Sequence, residues 1–163
     1  MKNKEWKILQ VKSKKESEEL NNLLWQVLWK PLSLPQDMIS KFKLTGESKK
    51  FIAKQDDKLI GGLVAFSITP IEMEIRHIAV LPKFQEKGVG SKLVDSLITF
   101  ASEKRYTRIY TIARNTSVEF FKKLGFTDNP QQKPPDHPAF TKHGITFYLL
   151  ELSLLAFIIS VKM

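Results

Sequence analysis

Ile75-Arg76-His77-Ile78-Ala79-Val80-Leu81-Pro82-Lys83-Phe84-Gln85-Glu86-Lys87-Gly88-Val89-Gly90 decides the reading of this chain. The first half is an apolar, strand-forming run. Pro82 marks a turn, and Gln85-x-x-Gly88-x-Gly90 leads without a break into a helix over Gly88–Lys104. There Leu93, Val94, Leu97, Ile98 and Ala101 form one apolar stripe. A strand, a glycine turn and a helix in that order gather backbone N–H groups at a helix start, where they can hold a phosphate. Gly88 and Gly90 carry no side chain to keep the phosphate at a distance and allow backbone angles closed to other residues. Glu74 lies upstream on the same strand. A diphosphate cradle and a candidate base in one unit point to group transfer from a phosphate-bearing cofactor.

Two other phosphate motifs are excluded. A dinucleotide site wants Gly-x-Gly-x-x-Gly, but Leu93 stands three residues after Gly90, and the nucleotide loop Gly-x-x-x-x-Gly-Lys-Ser/Thr does not occur. Lys87 reads as a rim charge or a phosphate contact. Glu86, an acid beside an anion site, is expected to turn its side chain to solvent.

Around this unit, Trp6–Val11 reads as a strand and Glu16–Lys30 as a helix with Ser13 or Ser17 as cap and Pro31 as its stop. Gln36–Leu44 reads as a second short helix. Phe51–Lys54 and Lys58–Thr69 are strands about a Gln55-Asp56-Asp57 turn, with a bend or bulge allowed at Gly61-Gly62. Glu72–Leu81 and Thr107–Ala113 are strands joined by the long helix, which makes a parallel, right-handed crossover the expected connection. Thr116–Leu124 is a helix closed by Gly125. Asn129–Pro138, with four prolines, is a loop, and Gly144–Ser153 is the last strand. The fold class that follows is α+β, in three layers: a mostly antiparallel, twisted sheet with helices on both faces.

A chain of 163 residues fits one domain, assigned to residues 1–153, with an apolar tail over 154–163. That tail is too short and, with Glu151 nearby, too broken for a membrane span, so no membrane partner is expected. A tail packed on a partner chain, as in a homodimer, is the expected role. The absence of cysteine excludes disulfides, thiolate metal sites and a Cys nucleophile, and fits a reducing, cytoplasmic setting. The start of the chain lacks the apolar core of a signal peptide. A net charge of +9 reads as a lysine-rich solvated surface or as attraction for a polyanion. With no nucleic-acid-binding signature beside it, nucleic acid is not expected as a partner. His77, His137 and His143 show no metal-ligand spacing, so no metal is expected.

Ile78-Ala79-Val80-Leu81-Pro82, Gln85-x-x-Gly88-x-Gly90 and Phe120-Phe121-Lys122-Lys123-Leu124-Gly125-Phe126 resemble the GNAT (GCN5-related) N-acetyltransferases. The resemblance is strong from Phe51 to Phe126 and looser over His143–Leu152. It implies an N-acetyltransferase that uses acetyl-CoA. Backbone groups of Ile78, Ala79 and Val80 would pair with the pantetheine arm. The amides of Gln85, Glu86, Lys87, Gly88, Val89, Gly90 and Ser91 would hold the pyrophosphate, and Asn115 and Phe121 match positions that commonly touch the cofactor. Asn115 reads equally well as a helix cap.

An alkyl ammonium with a pKa near ~10.4 must lose a proton before it can attack. A carboxylate raised in pKa by partial burial suits that task. Glu74 matches the family's frequent strand glutamate; Glu72, on the same face of a regular strand, is the alternative base, and His77 a further titratable group. Both acids also read as rim charges that favour a cationic acceptor, or as partners of Arg76. The oxyanion donor would be a backbone N–H near Ala79 or Val80. Many family members have a tyrosine acid where this chain has Phe121, which leaves Tyr110, Ser117 and Tyr148 as candidate donors, or a thiolate that leaves unaided. The acceptor is expected to be a small-molecule or peptide amine. The alternative function is a non-catalytic acyl-CoA-binding module.

Overall fold

The computed structural model describes residues 5–42 and 44–156. Strand β1 (Trp6–Gln10) leads to helix α1 (Lys14–Leu24), which continues through a π-helical turn at Trp25–Trp29 and a 3-10 turn at Lys30–Leu32. Helix α2 (Met38–Lys41) precedes strands β2 (Ser48–Gln55), β3 (Lys58–Thr69) and β4 (Glu72–Val80). Then follow α3 (Val89–Glu103), β5 (Arg108–Arg114), α4 (Val118–Lys123), β6 (Thr127–Asp128), α5 (Pro138–Thr141) and β7 (Phe147–Ser153).

The strands form one seven-stranded sheet in the order β1-β2-β3-β4-β5-β7-β6. Only β4 and β5 run parallel, because only they are joined by a long crossover helix, α3. β3 is central and buried without interruption from Ile60 to Phe66, as a strand covered on both faces must be. One core lies between the sheet and α3 and α4, around Leu93, Leu97, Phe121 and Phe126. The other lies between the opposite face and α1, the π-turn and α2, around Leu20, Leu24, Trp29 and Met38. The three-layer α+β architecture is the expected one.

Several boundaries differ from the sequence reading. The apolar stripe of the first helix runs on past Leu24, but the chain widens there into a π-turn, and the Trp25 indole donates to the Leu34 carbonyl at 2.9 Å. The second helix is a single turn at Met38–Lys41; Lys43, within the expected range, lies outside the described residues. β2 begins at Ser48, earlier than its apolar residues suggest, because Val11 and Ser67 tie the neighbouring chain to it through Lys50 and Glu47 carbonyls. The bulge expected at Gly61-Gly62 falls beside them: Ala53 faces Gly61 and Lys54 faces Leu59, leaving Ile60 as the extra residue. The expected helix from Thr116 starts as a 3-10 turn at Asn115–Ser117 and becomes α-helical only at Val118. Gly125 takes φ +99° and closes α4, with its N–H on Lys122 and that of Phe126 on Phe121. The proline-rich loop ends in α5, capped by the His137 ring, whose Nδ1 accepts from the Ala139 N–H at 3.1 Å. The last strand begins at Phe147 rather than Gly144.

Leu154, assigned by sequence to the tail, is 0 % exposed, and its N–H donates to the Thr107 carbonyl at 2.8 Å. The folded unit therefore includes it; residues 157–163 lie outside the described residues. Among the described residues no helix is long and apolar enough to cross a membrane. Leu154→Ala should lower the unfolding free energy by about 2–5 kcal/mol, the cost of an emptied leucine site, read from urea denaturation.

Candidate active site

The parallel ladder pairs Glu72 with Arg108, Met73 with Ile109, Glu74 with Tyr110 and Ile75 with Thr111, and then stops. The next residue, Arg76, is the extra member of a bulge: Ala65 faces Ile75 while Val64 faces His77. A bulge bends its strand and sharpens the local twist. Beyond it β4 stays with β3 as far as Val80, and β5 stays with β7 as far as Arg114. The two strands part like the arms of a V. The opening is a cleft of about 350 Å³ that passes between Ile75–Ile78 on one arm and Thr111–Arg114 on the other.

The bulge also sorts side chains. Met73 and Ile75 belong to the α3 core, with Ile78 and Val80 packed against it, whereas Ala79 belongs to the opposite core and His77 stacks edge-on against Trp29 at 5.1 Å. The Leu81 N–H donates to Ile60 on β3 at 2.8 Å. Antiparallel alternation then turns the backbone groups of Ala79 toward β3 and those of Ile78 and Val80 toward the cleft. Of the three residues expected to pair with a pantetheine arm, Ile78 and Val80 are so placed and Ala79 is not. The Val80 carbonyl is already occupied by Gln85 Nε2 at 2.9 Å.

Past this point the chain turns sharply. Glu86 has φ +63° and Gly88 φ +85°. The Gln85 N–H is taken by the Pro82 carbonyl at 3.3 Å, so Gln85 locks the turn rather than opening it. The first α3 amide bonded back along the helix is that of Lys92, to Gly88 at 3.1 Å. Helix geometry leaves the amides of Val89, Gly90 and Ser91 without intrahelical acceptors, and no side chain caps the end. A Cβ at Gly88 would meet nothing within 4 Å, so the glycine serves the positive φ and keeps the approach open. A Cβ at Gly90 would lie 3.1 Å from the Phe120 ring, so packing on α4 demands that glycine. The side chains of Glu86 and Lys87 are exposed.

On the face away from α3, Glu72 and Glu74 both line a second hollow of about 450 Å³, with Tyr110, Ile112 and Pro134. Glu74 is 4 % exposed. Burial raises its carboxyl above the usual carboxylate range, against the opposing pull of Arg76 at 3.3 Å and of the Tyr110 hydroxyl. Glu72 is tied down by Thr69 Oγ1 at 3.2 Å and Arg108 at 2.8 Å. Both acids thus have a cation at hand. Glu74 is a partner of Arg76, as one sequence reading has it, whereas Glu72 pairs with Arg108 instead, so the reading of the two acids as free rim charges is corrected. His77 is buried, and burial together with the charges of Arg76 and Arg114 lowers its pKa to about 3, so it is neutral and a weak proton acceptor.

Asn115 is not a helix cap. Its Nδ2 donates to Gly144 at 3.2 Å and its Oδ1 accepts from Thr146 at 3.1 Å, stitching the end of β5 to the chain entering β7. Phe121 is 2 % exposed, packs edge-on against Phe120 and Phe126, and reaches the cleft wall beside Ser117. Tyr110 lines the second hollow through its bond to Glu74; Tyr148 lines neither. Sequence reasoning passed over the wall opposite the cradle: Trp29, Phe42, Phe140 and Arg114. The alternation Arg108, Tyr110, Ile112, Arg114 was the available signal for the last. Among the described residues no group of three His, Asp or Glu is placed to hold a metal ion.

The chain matches the model of the Acetyltransferase (GNAT) family over residues 16–126. It is 31% identical over 78 residues to an uncharacterized N-acetyltransferase of Chlorobaculum tepidum, an overlap of 48% of this chain and 49% of the relative. The match spans about half the length of that relative. In fold it resembles a crystal structure of a putative N-acetyltransferase from Lactobacillus plantarum (TM-score 0.76, 16% identity, 92% of this chain and 99% of the other). It also resembles a GNAT family acetyltransferase from Elizabethkingia anophelis with acetyl-CoA bound (TM-score 0.67, 21% identity, 91% and 97%).

Because the unfolded chain protonates His77 near pH 6.5 and the folded one only near 3, stability contributed by this residue is complete above the unfolded value and is lost as pH falls toward the folded one. By pH 4.5 the loss amounts to about 2–3 kcal/mol. His77→Gln should flatten the acid limb of a denaturation-midpoint series by that amount.

Proposed function

This chain belongs to the GNAT family of acetyltransferases, and we propose that it transfers an acetyl group from acetyl-CoA to a primary amine by direct attack in a ternary complex. The observation that carries the reading is the V between β4 and β5, which ends at the uncapped start of α3. Free amides of Val89, Gly90 and Ser91, with the turn at Glu86–Gly88, would hold the diphosphate. The thioester arm would lie along the exposed edge of Ile78 and Val80, as a strand adds to a sheet. The Elizabethkingia structure with acetyl-CoA bound supports the same co-substrate here.

The amine would enter from the opposite face, through the hollow where Glu74 sits. Glu74 takes its proton, directly or through a water, and its raised pKa suits that role. Glu72 is the weaker candidate, since its carboxylate is engaged by Arg108 within a three-residue ion network. The amide of Val80, turned to the cleft, is the best placed donor for the tetrahedral oxyanion. Collapse of that intermediate expels the CoA thiolate, and of the candidate donors Tyr110, Ser117 and Tyr148 it is Ser117 that lines the same cleft as Phe121.

The replacement of a tyrosine acid by buried Phe121 favours a second reading, an acyl-CoA-binding module without turnover. Release of free thiol from acetyl-CoA over a panel of amines separates the two. Turnover is expected; binding of CoA by calorimetry without turnover of any amine supports the module, and no heat of CoA binding removes both.

Glu74→Gln should lower kcat by about 10²–10⁴-fold, the usual worth of a positioned base. In the parent protein kcat/KM should fall as pH drops through the raised Glu74 pKa, because the protonated carboxyl accepts nothing. The variant should lack that acid limb. Gly88→Ala should weaken CoA binding while costing about 1–2 kcal/mol of stability, since φ +85° is strained for any side chain.

A further inference from the structure

We infer that Arg114 and the aromatic wall beside it form a carboxylate-binding subsite, so that the acceptor is an amine carrying a carboxylate on an apolar body, an amino acid with an aromatic or large aliphatic side chain. The inference rests on the acetyltransferase reading of the same cleft and specifies its acceptor.

Three arginines share the acceptor face of β4 and β5. Arg108 is held by Glu72 and Glu151, and Arg76 by Glu74. Arg114, although half-buried, has no carboxylate within ion-pair reach among the described residues. Its Nη2 donates to the Leu28 carbonyl at 2.7 Å, and its guanidinium lies 5.7 Å from the centre of the Phe140 ring. A guanidinium has five donors, so this fork can serve a further acceptor beside the Leu28 carbonyl. Burial lowers the pKa of Arg114 with no acid to oppose it.

A half-buried cation without a carboxylate partner is costly, and the Leu28 carbonyl and the Phe140 ring relieve that cost only in part. The other charged groups lining the cleft are Arg76, already paired, and Asp136, exposed on the proline-rich loop. Of the two guanidinium groups that act against a proton on His77, Arg76 has a carboxylate partner and Arg114 has none among the described residues. A second cation placed here would be repelled. A carboxylate would be drawn in and could take two parallel N–H···O bonds from the guanidinium. Trp29, Phe42, Phe140 and Phe147 supply the apolar wall for the rest of such a molecule. An anionic group could also come from CoA itself, whose phosphates share this chemistry, and the experiment separates the two sources.

Calorimetry on the CoA-saturated full chain would compare N-acetyl-L-phenylalanine with N-acetyl-L-phenylalaninamide, which differ only in the carboxylate. The acid is expected to bind at least about tenfold more tightly. Arg114→Gln should erase that preference and leave the affinity for CoA unchanged. Since Arg114 also holds the Leu28 carbonyl, Arg114→Lys is the control: keeping the charge, it should keep most of the preference. Equal binding of acid and amide, binding of neither at millimolar concentration, or a preference that survives Arg114→Gln overturns the proposal. A loss of CoA affinity in Arg114→Gln with the preference intact assigns the guanidinium to a cofactor phosphate and overturns it too. None of these outcomes touches the acetyl-transfer reading, which stands or falls on thiol release.

Discussion

Four residue pairs hold β4 to β5, and the site exists because there are no more. Where the strands meet, Arg108 bridges Glu72 and Glu151, at 2.8 and 2.6 Å, across three neighbouring strands. All three side chains are partly exposed, and such pairs contribute about 0.2–1 kcal/mol each. Burial of Met73, Ile75 and Ile109 on the other face contributes about 1.5–3 kcal/mol per side chain. The apolar face therefore keeps the strands together, and the ion network fixes their register. Past Ile75 neither survives: Arg76 breaks the pleat, and the backbone edge that follows faces a gap instead of a neighbouring strand, while its side chains still pack into the two cores. The gap opens a cleft in a sheet that is otherwise hydrogen-bonded from β1 to β6.

The same constraint explains how much could be read from sequence. The long stripe of α3, the apolar run of β3 and the glycine turn are local signals, and local physics gives them directly. The closure of α4 at Gly125 is legible for the same reason, since only a glycine sits easily at φ +99°. The bulge at Arg76 has no local signature. Ile75-Arg76-His77-Ile78 alternates well enough to pass for regular strand, and the extra residue appears only in the register with Val64 and Ala65. Reading through it puts Glu74 and Ile78 on one face; the structure puts them on opposite faces, Glu74 toward Tyr110 and Ile78 toward α3. Asn115 and Gln85 were visible as polar residues at turns, but their partners, Gly144, Thr146 and Val80, come from the fold.

Charge was the least legible property. Glu72 and Glu74, two residues apart beside a cleft, look like an acidic mouth. In the fold each meets an arginine, Arg108 from the next strand and Arg76 from the bulge. On these two strands the guanidinium left without a carboxylate partner among the described residues is that of Arg114, at the far end of β5, a residue that in sequence is one basic side chain among 26. The sign of a site is set by which charges remain unmatched after folding, and pairing depends on register.

The asymmetry between the two protons of the reaction bears on the missing tyrosine. At pH 7 a free alkyl amine with a pKa near ~10.4 is deprotonated at a cost of roughly 4–5 kcal/mol, whereas a thiol with a pKa near ~8.5 departs as thiolate at a cost of only about 2. A site of this kind can do without an acid far more easily than without a base. Phe121 fits that asymmetry. Its ring fills the core between Phe120 and Phe126, and a phenol there would have to find a hydrogen-bond partner at a position only 2 % exposed. Glu74 occupies the opposite situation, buried enough to be raised in pKa and still joined to Arg76 and Tyr110 so that it can ionise. On the proposed reading, Glu74 is the residue that the harder proton transfer would require.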